Sequence, residues 1–208
     1  MSWRDRWKGH TAVCIASGPS LTAEDVARVV AWRDAAADRH ILVTNTTFRD
    51  VPTADVIFGF DSRWWKIYYD EVAATCPGER VTVTAQNLAG VAVVEKKQMP
   101  NFGNSGAGQV ALAIFAGCRD VGMLAYDAQH GPGGEVHHHG NHPRGLGNAL
   151  SMPRWPAAFQ KLADHAQVKG VRVVNCSRRT ALKCFAKIAL EDFLNENSDC
   201  TANLQASG

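Results

Sequence analysis

The feature that most constrains the fold of this chain is a series of short apolar runs that lack polar alternation. The runs TAVCIA (11–16), HILVTN (40–45) and VRVVN (171–175) favour strands, and segments with helical character lie between them. A strand that is apolar on both faces has to be covered on both sides, which is typical of parallel sheets. The pattern therefore predicts one doubly wound, Rossmann-like α/β domain with a mostly parallel sheet.

The predicted elements follow one another without an internal repeat or a linker. We expect strands at 11–16, 40–45, 54–60, 80–85, 90–94, 120–126 and 171–175. We expect helices at 23–38, 62–72, 107–117, 153–169 and 186–195, joined by a long loop over 128–150. Val26, Val29, Val30 and Ala37 would form the buried side of the first helix. The chain then divides into one domain over 1–197 and a polar, fraying tail over 198–208.

Composition excludes several classes of protein. Hydrophobic residues make up 46% of the 208 residues, which is enough for a full core and excludes a disordered chain. The net charge of +2 is too small for a molecule that binds nucleic acid over its whole surface. No apolar run reaches the length of a membrane helix, so we expect no membrane partner. The six cysteines form no CxxC pair, and the start of the chain has no apolar signal, which indicates a cytoplasmic protein.

Polar residues and glycine follow the predicted strands, where parallel sheets bind their ligands. Gly18-Pro19-Ser20 lies between a strand and a helix start, where free N–H groups favour an anion. Gly103-Asn104-Ser105-Gly106 opens a second helix, and its side chains can donate to a nucleotide or a phosphate. The alternative is a pair of ordinary capped turns. Neither loop is a GxGxxG or a Walker sequence.

Five of the eight histidines lie between His130 and His142. Imidazole acts as a general acid near neutral pH and also binds metals. His137, His139 and His142, helped by Asp127, form a candidate site for zinc or another divalent ion. The alternatives are a catalytic acid or base and a solvated loop with incidental histidines.

Two carboxylates and two tryptophans carry open alternatives as well. Asp61 and Asp127 end predicted strands and are either catalytic residues or helix caps. Trp64 and Trp65 either stack on a base or sugar or pack in the core.

An ordered set of motifs resembles a known family. VCIASGPSLT, VTNTTF, GNSGAGQVALAIFAGCRDVGMLAYDAQ, HHHGNHP and VVNCSRRTAL follow one another over most of residues 11–182. In order and spacing they resemble the bacterial sialyltransferases of glycosyltransferase family 42 and the related MptE-like proteins. The opening residues and the Trp64-Trp65 pair also resemble proteins of tailed phages, which would place the chain in a host cytoplasm.

The resemblance implies a role for particular positions. Gly18, Pro19 and Ser20 would surround the phosphate or ribose of a nucleotide, and Asn45 would reach the nucleotide from the second strand. Asn104, Ser105 and Gly106 would hold its base or ribose end. His142 or His139 would match the catalytic histidine. The family is metal-independent, so the resemblance implies no metal.

The chain also departs from the family pattern. Ala16-Ser17 stands where the sialyltransferases have Gly-Asn before GPSL. The family holds the departing phosphate with tyrosines, and no tyrosine lies between His142 and Asn175. These departures make CMP-sialic acid an uncertain donor.

The resulting hypothesis is a glycosyltransferase-like enzyme that uses a nucleotide sugar as substrate and has no tightly bound cofactor. A histidine would assist proton transfer or neutralise the leaving group, and Asp61 or Asp127 would orient the substrate or act as base. One alternative is a diphosphotransferase of the pterin pyrophosphokinase type that needs ATP and magnesium. Another is a module that sequesters a nucleotide or a host factor without catalysis. The sequence leaves the acceptor and the oligomeric state open.

Overall fold

A computed structural model describes residues 2–84, 88–94, 99–100, 102–143 and 146–205, with side chains to residue 198. The described strands are β1 (Thr11–Ile15), β2 (Arg39–Thr44), β3 (Val56–Phe58), β4 (Glu79–Thr82), β5 (Val91–Val93), β6 (Asp120–Leu124), β7 (Arg172–Asn175) and β8 (Ala186–Lys187). The described α-helices are α1 (Ala23–Asp34), α2 (Ser62–Thr75), α3 (Ser105–Phe115), α4 (Trp155–Lys169) and α5 (Leu190–Gln205). Ala85, the end of one predicted strand, lies outside the described residues.

The described strands form one parallel sheet in the order β5-β4-β3-β2-β1-β6-β7-β8. The chain first builds outward from β1 to β5 and then returns to place β6 on the other side of β1. Ile15 is in register with Val43 of β2 and with Leu124 of β6. The reversal between β1 and β6 is the topological switch point, where α/β sheets bind ligands. The predicted Rossmann-like α/β fold is confirmed.

Both faces of the sheet are covered, which explains why its strands lack polar alternation. In β1, Ala12 and Cys14 belong to a core with residues of α3 and α4 such as Leu112 and Leu162. Val13 and Ile15 belong to a second core with side chains of α1, α2 and α5, namely Val29, Trp65 and Phe193. Successive residues of β1 therefore enter opposite cores, and both cores are apolar.

The structure corrects the predicted bounds of α1 at its end. The helix ends at Asp34, so Ala37 lies beyond it and is exposed. Val29 is buried as predicted, and Trp32 completes the buried side. Trp32 is buried, although it was not predicted to be, because its ring packs near Phe193 of α5.

The C-terminal part also differs from the prediction. Ala186 begins the short strand β8, paired with Val174 of β7, instead of a helix. The helix α5 starts at Leu190, with Glu191 and Asp192 in its first turn, where acidic residues are favourable. It runs to Gln205, through the position where the predicted tail begins, and the division at residue 197 stays a prediction. Within the described part of the chain, no helix is both long enough and apolar enough to span a bilayer.

Candidate functional site

The carboxyl ends of β1, β2, β3 and β6 open onto one cavity of about 410 Å³. The loop after β1 and the N-terminus of α3 both contribute to its wall, so the structure brings the two glycine-rich segments together. Most of the predicted site residues line this cavity: Gly18, Pro19, Asn45, Asp61, Asn104, Ser105, Gly106, Asp127 and His142. Ser20 and His139 do not line it.

The loop after β1 is held against the loop after β6. The Gly18 N–H donates to the carbonyl of Ala125 at 3.0 Å. A Cβ at Gly18 would meet that carbonyl oxygen and would lie 2.5 Å from Oδ1 of Asp127. Only glycine allows this close approach.

Asp127 fixes the same loop through Ser20. Its Oδ2 accepts from the backbone N–H of Ser20 at 2.8 Å, and its Oδ1 accepts from the hydroxyl at 2.6 Å. Burial raises the pKa of the Asp127 carboxyl, although the bonds from Ser20 oppose this. These contacts give Asp127 a structural role, and they place the donors of Ser20 on Asp127. The predicted contacts of both residues with substrate stay predictions.

The N-terminus of α3 forms another wall of the cavity. Asn104 is its N-cap, with Oδ1 accepting from the N–H of Ala107 at 3.1 Å, and Ser105 and Gly106 follow in the first turn. Gly106 lets the ring of Tyr126 pack against the backbone, and the Tyr126 hydroxyl donates to the Gly106 carbonyl at 3.1 Å. The free N–H groups and the positive helix end favour an anion at this point.

Strained backbone is concentrated around the cavity. Four non-glycine residues that line it have left-handed backbone: Asn45 (φ 52°), Ala125 (φ 59°), Ala128 (φ 50°) and Ala149 (φ 56°). Such conformations cost about 1–3 kcal/mol each and are concentrated at functional sites.

Asp61 also has a structural partner at the cavity. It is the exposed N-cap of α2, and its Oδ1 accepts from the N–H of Arg63 at 2.8 Å. Both predicted carboxylates therefore stabilise a turn, and of the two only Asp61 is exposed.

The histidines of the long loop form a cluster at the cavity. One ring nitrogen from each of His137, His139 and His142 lies within 4.8 Å of the others. Nδ1 of His137 is 2.9 Å from Oγ of Ser17, and Nε2 of His139 is 2.7 Å from Oγ1 of Thr46. We call these three residues the histidine cluster.

His138 belongs to a different contact. Its Nε2 is 2.8 Å from the Asp50 carboxylate, and its backbone N–H donates to the Ser17 carbonyl at 3.0 Å. It therefore fixes the loop against the β1 end and does not join the histidine cluster.

The environment lowers the pKa values of the clustered rings. Burial and the neighbouring imidazoles lower the pKa of His137 to about 3 and that of His142 to about 4. Burial and His138 lower the pKa of His139. Neutral rings at pH 7 keep a lone pair that can bind a metal, but pKa values this low make them weak bases, and they are poorly suited to donating a proton or neutralising charge.

The structure adds Arg154, which the sequence reasoning missed. Arg154 precedes α4 and is the only arginine or lysine among the described residues that line the cavity. A cation at a helix N-terminus opposes the helix dipole. Its position in the first turn of a predicted helix was the one signal in the sequence that could have drawn attention to Arg154.

Of the two adjacent tryptophans, Trp64 and Trp65, only Trp64 lines the cavity. Trp65 is fully buried and its indole N–H donates to the Gly59 carbonyl at 2.9 Å, so it belongs to the core. Trp64 is also buried in that core, yet it contributes to the cavity wall.

The fold and the cavity define a Rossmann-like α/β protein with a pocket at the switch point of a parallel sheet. The chain is similar in structure to the sialyltransferase CstII from Campylobacter jejuni, solved in complex with a substrate analogue, cytidine-5'-monophosphate. The TM-score is 0.59 at 13% identity, over 88% of this chain and 86% of that chain. The likeness shows that the two chains share a fold. No family model matches the sequence, and no curated protein matches it.

Proposed function

We propose that this protein binds a nucleotide in the cavity and transfers a sugar from a nucleotide-sugar donor. The observation that carries the proposal is the meeting of the Gly18 loop and the N-terminus of α3 on one cavity at the switch point. The first turn of α3 supplies backbone N–H groups, and the Gly18 loop, whose own N–H groups are already paired, leaves room for close approach by a phosphorylated ligand. The structural likeness to a sialyltransferase that binds cytidine monophosphate supports the same conclusion.

Arg154 and α3 are assigned to the phosphate of the donor. Arg154 would supply positive charge, and the first turn of α3, with Asn104 and Ser105, would supply hydrogen bonds. Arginine binds phosphate through a planar fork of donors, so it would take the part that tyrosines play in the family. Gly18 and Pro19 would pack beside the ribose, and Asn45 would contact the nucleotide from the end of β2.

The transfer step requires a base close to the hydroxyl group of the molecule that receives the sugar. The hydroxyl oxygen bonds to the anomeric carbon of the donor while the bond from that carbon to the phosphate oxygen breaks. The hydroxyl proton leaves to a base, and the nucleotide departs with the phosphate charge. His142 is the first choice for the base because it lines the cavity, with His139 as the second. Asp61 would orient the molecule that receives the sugar.

The diphosphotransferase alternative has less support. It requires carboxylates that hold magnesium beside the phosphates of ATP. Both oxygens of Asp127 already accept hydrogen bonds from Ser20, which leaves Asp61 as the available carboxylate of the predicted pair. A non-catalytic nucleotide-binding module fits the same cavity and is distinguished by turnover.

Calorimetric titration with CMP, UDP, GDP and ADP, with and without Mg²⁺, tests the proposal. We expect one of the nucleotides to bind tighter than 1 mM without magnesium. Binding of ADP that requires magnesium would support the diphosphotransferase. Failure of all four nucleotides to bind tighter than 1 mM would overturn nucleotide recognition. The sugar conjugate of the nucleotide that binds most tightly is then incubated with the protein. Release of the nucleotide from this conjugate distinguishes an enzyme from a binding module.

A further inference from the structure

We propose that His137, His139 and His142 bind one Zn²⁺ ion at the wall of the cavity. This inference does not rest on the proposed function, and it departs from the metal-free site that the family resemblance implies. Each of the three residues supplies one ring nitrogen, and these nitrogens lie within 4.8 Å of one another. A tetrahedral zinc ion with Zn–N bonds of about 2.0–2.1 Å holds its nitrogens about 3.4 Å apart. Small rotations of the rings therefore suffice to close the site.

Two ring nitrogens of the histidine cluster are buried without a hydrogen-bond partner among the described residues. They are Nε2 of His137 and Nδ1 of His142. A buried polar atom without a partner is costly, and proteins keep few of them. A metal ion bound to both lone pairs would remove that cost.

Two of the three rings, those of His137 and His139, already have the outer contacts that metal-binding histidines need. If the Nδ1–H of His137 donates to Oγ of Ser17, then Nε2 keeps its lone pair and is free to bind an ion. The hydroxyl of Thr46 lies 2.7 Å from Nε2 of His139 and orients that ring. Metal-bound imidazoles almost always make such a second contact through the other nitrogen.

The backbone around His142 is fixed as well. Its N–H donates to Oδ1 of Asn148 at 2.6 Å, and its carbonyl accepts from the Asn148 amide at 3.4 Å. This clamp fixes the backbone of His142 without a contribution from the metal.

The donor set selects the class of ion. Three neutral imidazoles without a thiolate suit Zn²⁺ and do not suit Mg²⁺ or Ca²⁺, which prefer oxygen. Three protein ligands leave a fourth position open, as in catalytic zinc sites. Because His137 and His142 line the cavity, an ion there would lie beside the proposed nucleotide. It would occupy the lone pair that His142 needs as a base, so in zinc-bound protein a hydroxide at the open position of the ion would have to accept the hydroxyl proton instead.

Zinc binding is testable without any nucleotide. Tag-free protein is stripped with EDTA, dialysed and titrated with ZnCl₂ by calorimetry, and CoCl₂ serves as a spectroscopic probe. We expect one equivalent of Zn²⁺ to bind with micromolar or tighter affinity and Co²⁺ to give an intense visible band. His137→Ala, His139→Ala and His142→Ala should each weaken zinc binding at least tenfold. His130→Ala, in the same loop, and His165→Ala, on α4, are matched controls and should leave it unchanged.

Two results would overturn the proposal. One is a wild-type protein that binds no Zn²⁺ tighter than about 100 µM. The other is zinc binding that survives all three substitutions. His139 is exposed, so His139→Ala should fold normally. A free energy of unfolding in EDTA equal to that of the wild type would verify this. Nucleotide titrations run in EDTA separate the proposals, because nucleotide binding without zinc binding refutes only the metal site.

Discussion

Ser20 gives both of its donors to Asp127, the backbone N–H at 2.8 Å and the hydroxyl at 2.6 Å. The two residues follow neighbouring strands, β1 and β6, that meet at the switch point of the sheet. Asp127 is almost fully buried, at 1% exposure, so its charge depends on these contacts. The pair therefore fixes the loop on which the cavity is built.

Removal of the Ser20 hydroxyl should destabilise the fold measurably. Ser20→Ala leaves one oxygen of a buried carboxylate without its partner, and hydrogen bonds to charged groups contribute about 1.5–3 kcal/mol. We expect a loss of that size in the free energy of unfolding, measured with urea. Ser62→Ala, at the start of α2, is the control. An equal loss in both variants would contradict the structural role of Ser20.

A side chain at position 18 should disrupt both stability and binding. In Gly18→Ala the new Cβ would meet the Ala125 carbonyl and would lie 2.5 Å from the Asp127 carboxylate, so the loop has to move. We expect a loss of about 1–3 kcal/mol in the free energy of unfolding and at least tenfold weaker nucleotide binding. Gly147→Ala is the matched control, because Gly147 lines the same cavity and its Cβ would meet nothing within 4 Å. Wild-type behaviour in Gly18→Ala would show that the loop is not closely packed.

Arg154 should contribute to binding of the nucleotide's phosphate and not to binding of its nucleobase. Arg154→Gln should weaken nucleotide binding about tenfold and reduce its dependence on salt, because one cation is lost. The same variant should bind the corresponding nucleoside as the wild type does. Lys161→Gln, an exposed cation elsewhere on α4, serves as control. Equal weakening of nucleoside and nucleotide would place Arg154 away from the phosphate.

A histidine pair away from the cavity should make stability depend on pH. Nε2 of His40 is 2.8 Å from Nδ1 of His10, and its ring stacks on Trp7. Burial, and after it the neighbouring His10, lower the pKa of His40 from 6.5 to about 4. Between these values the unfolded chain binds more protons at this residue than the folded chain does. Its contribution therefore falls as pH drops from about 6.5 to about 4.

His40→Gln should remove that part of the pH dependence. We expect the wild type to lose about 1–2 kcal/mol more than the variant between pH 7 and pH 4, a value discounted for the partial exposure of the ring. Urea unfolding at several pH values measures the difference. At pH 8, above both the folded and the unfolded pKa of His40, this residue contributes no pH dependence, so the difference there reports lost contacts alone. Parallel curves over the whole range would refute the shifted pKa.

Much of the fold was predictable because local patterns carried it. Apolar runs on both faces of 11–16 and 40–45 required a sheet covered on both sides, and the structure has β1 and β2 at its centre. The short strand near the C-terminus and the buried side of α1 were less predictable. Ala186–Lys187 forms a strand through pairing with β7, and Trp32 is buried through contact with Phe193 of α5. Both outcomes depend on partners that are distant in the sequence.

The sequence by itself determined the parallel α/β class, because burial on both faces needs apolar residues at every position of a strand. It also determined which residue types follow the strands, and so the polar character of the site. Only the tertiary structure decided that both donors of Ser20 serve Asp127 and that Arg154 lines the cavity. It also brought the His137, His139 and His142 nitrogens within 4.8 Å of one another. These relationships join segments far apart in the chain, and their distances follow from packing rather than from any local preference.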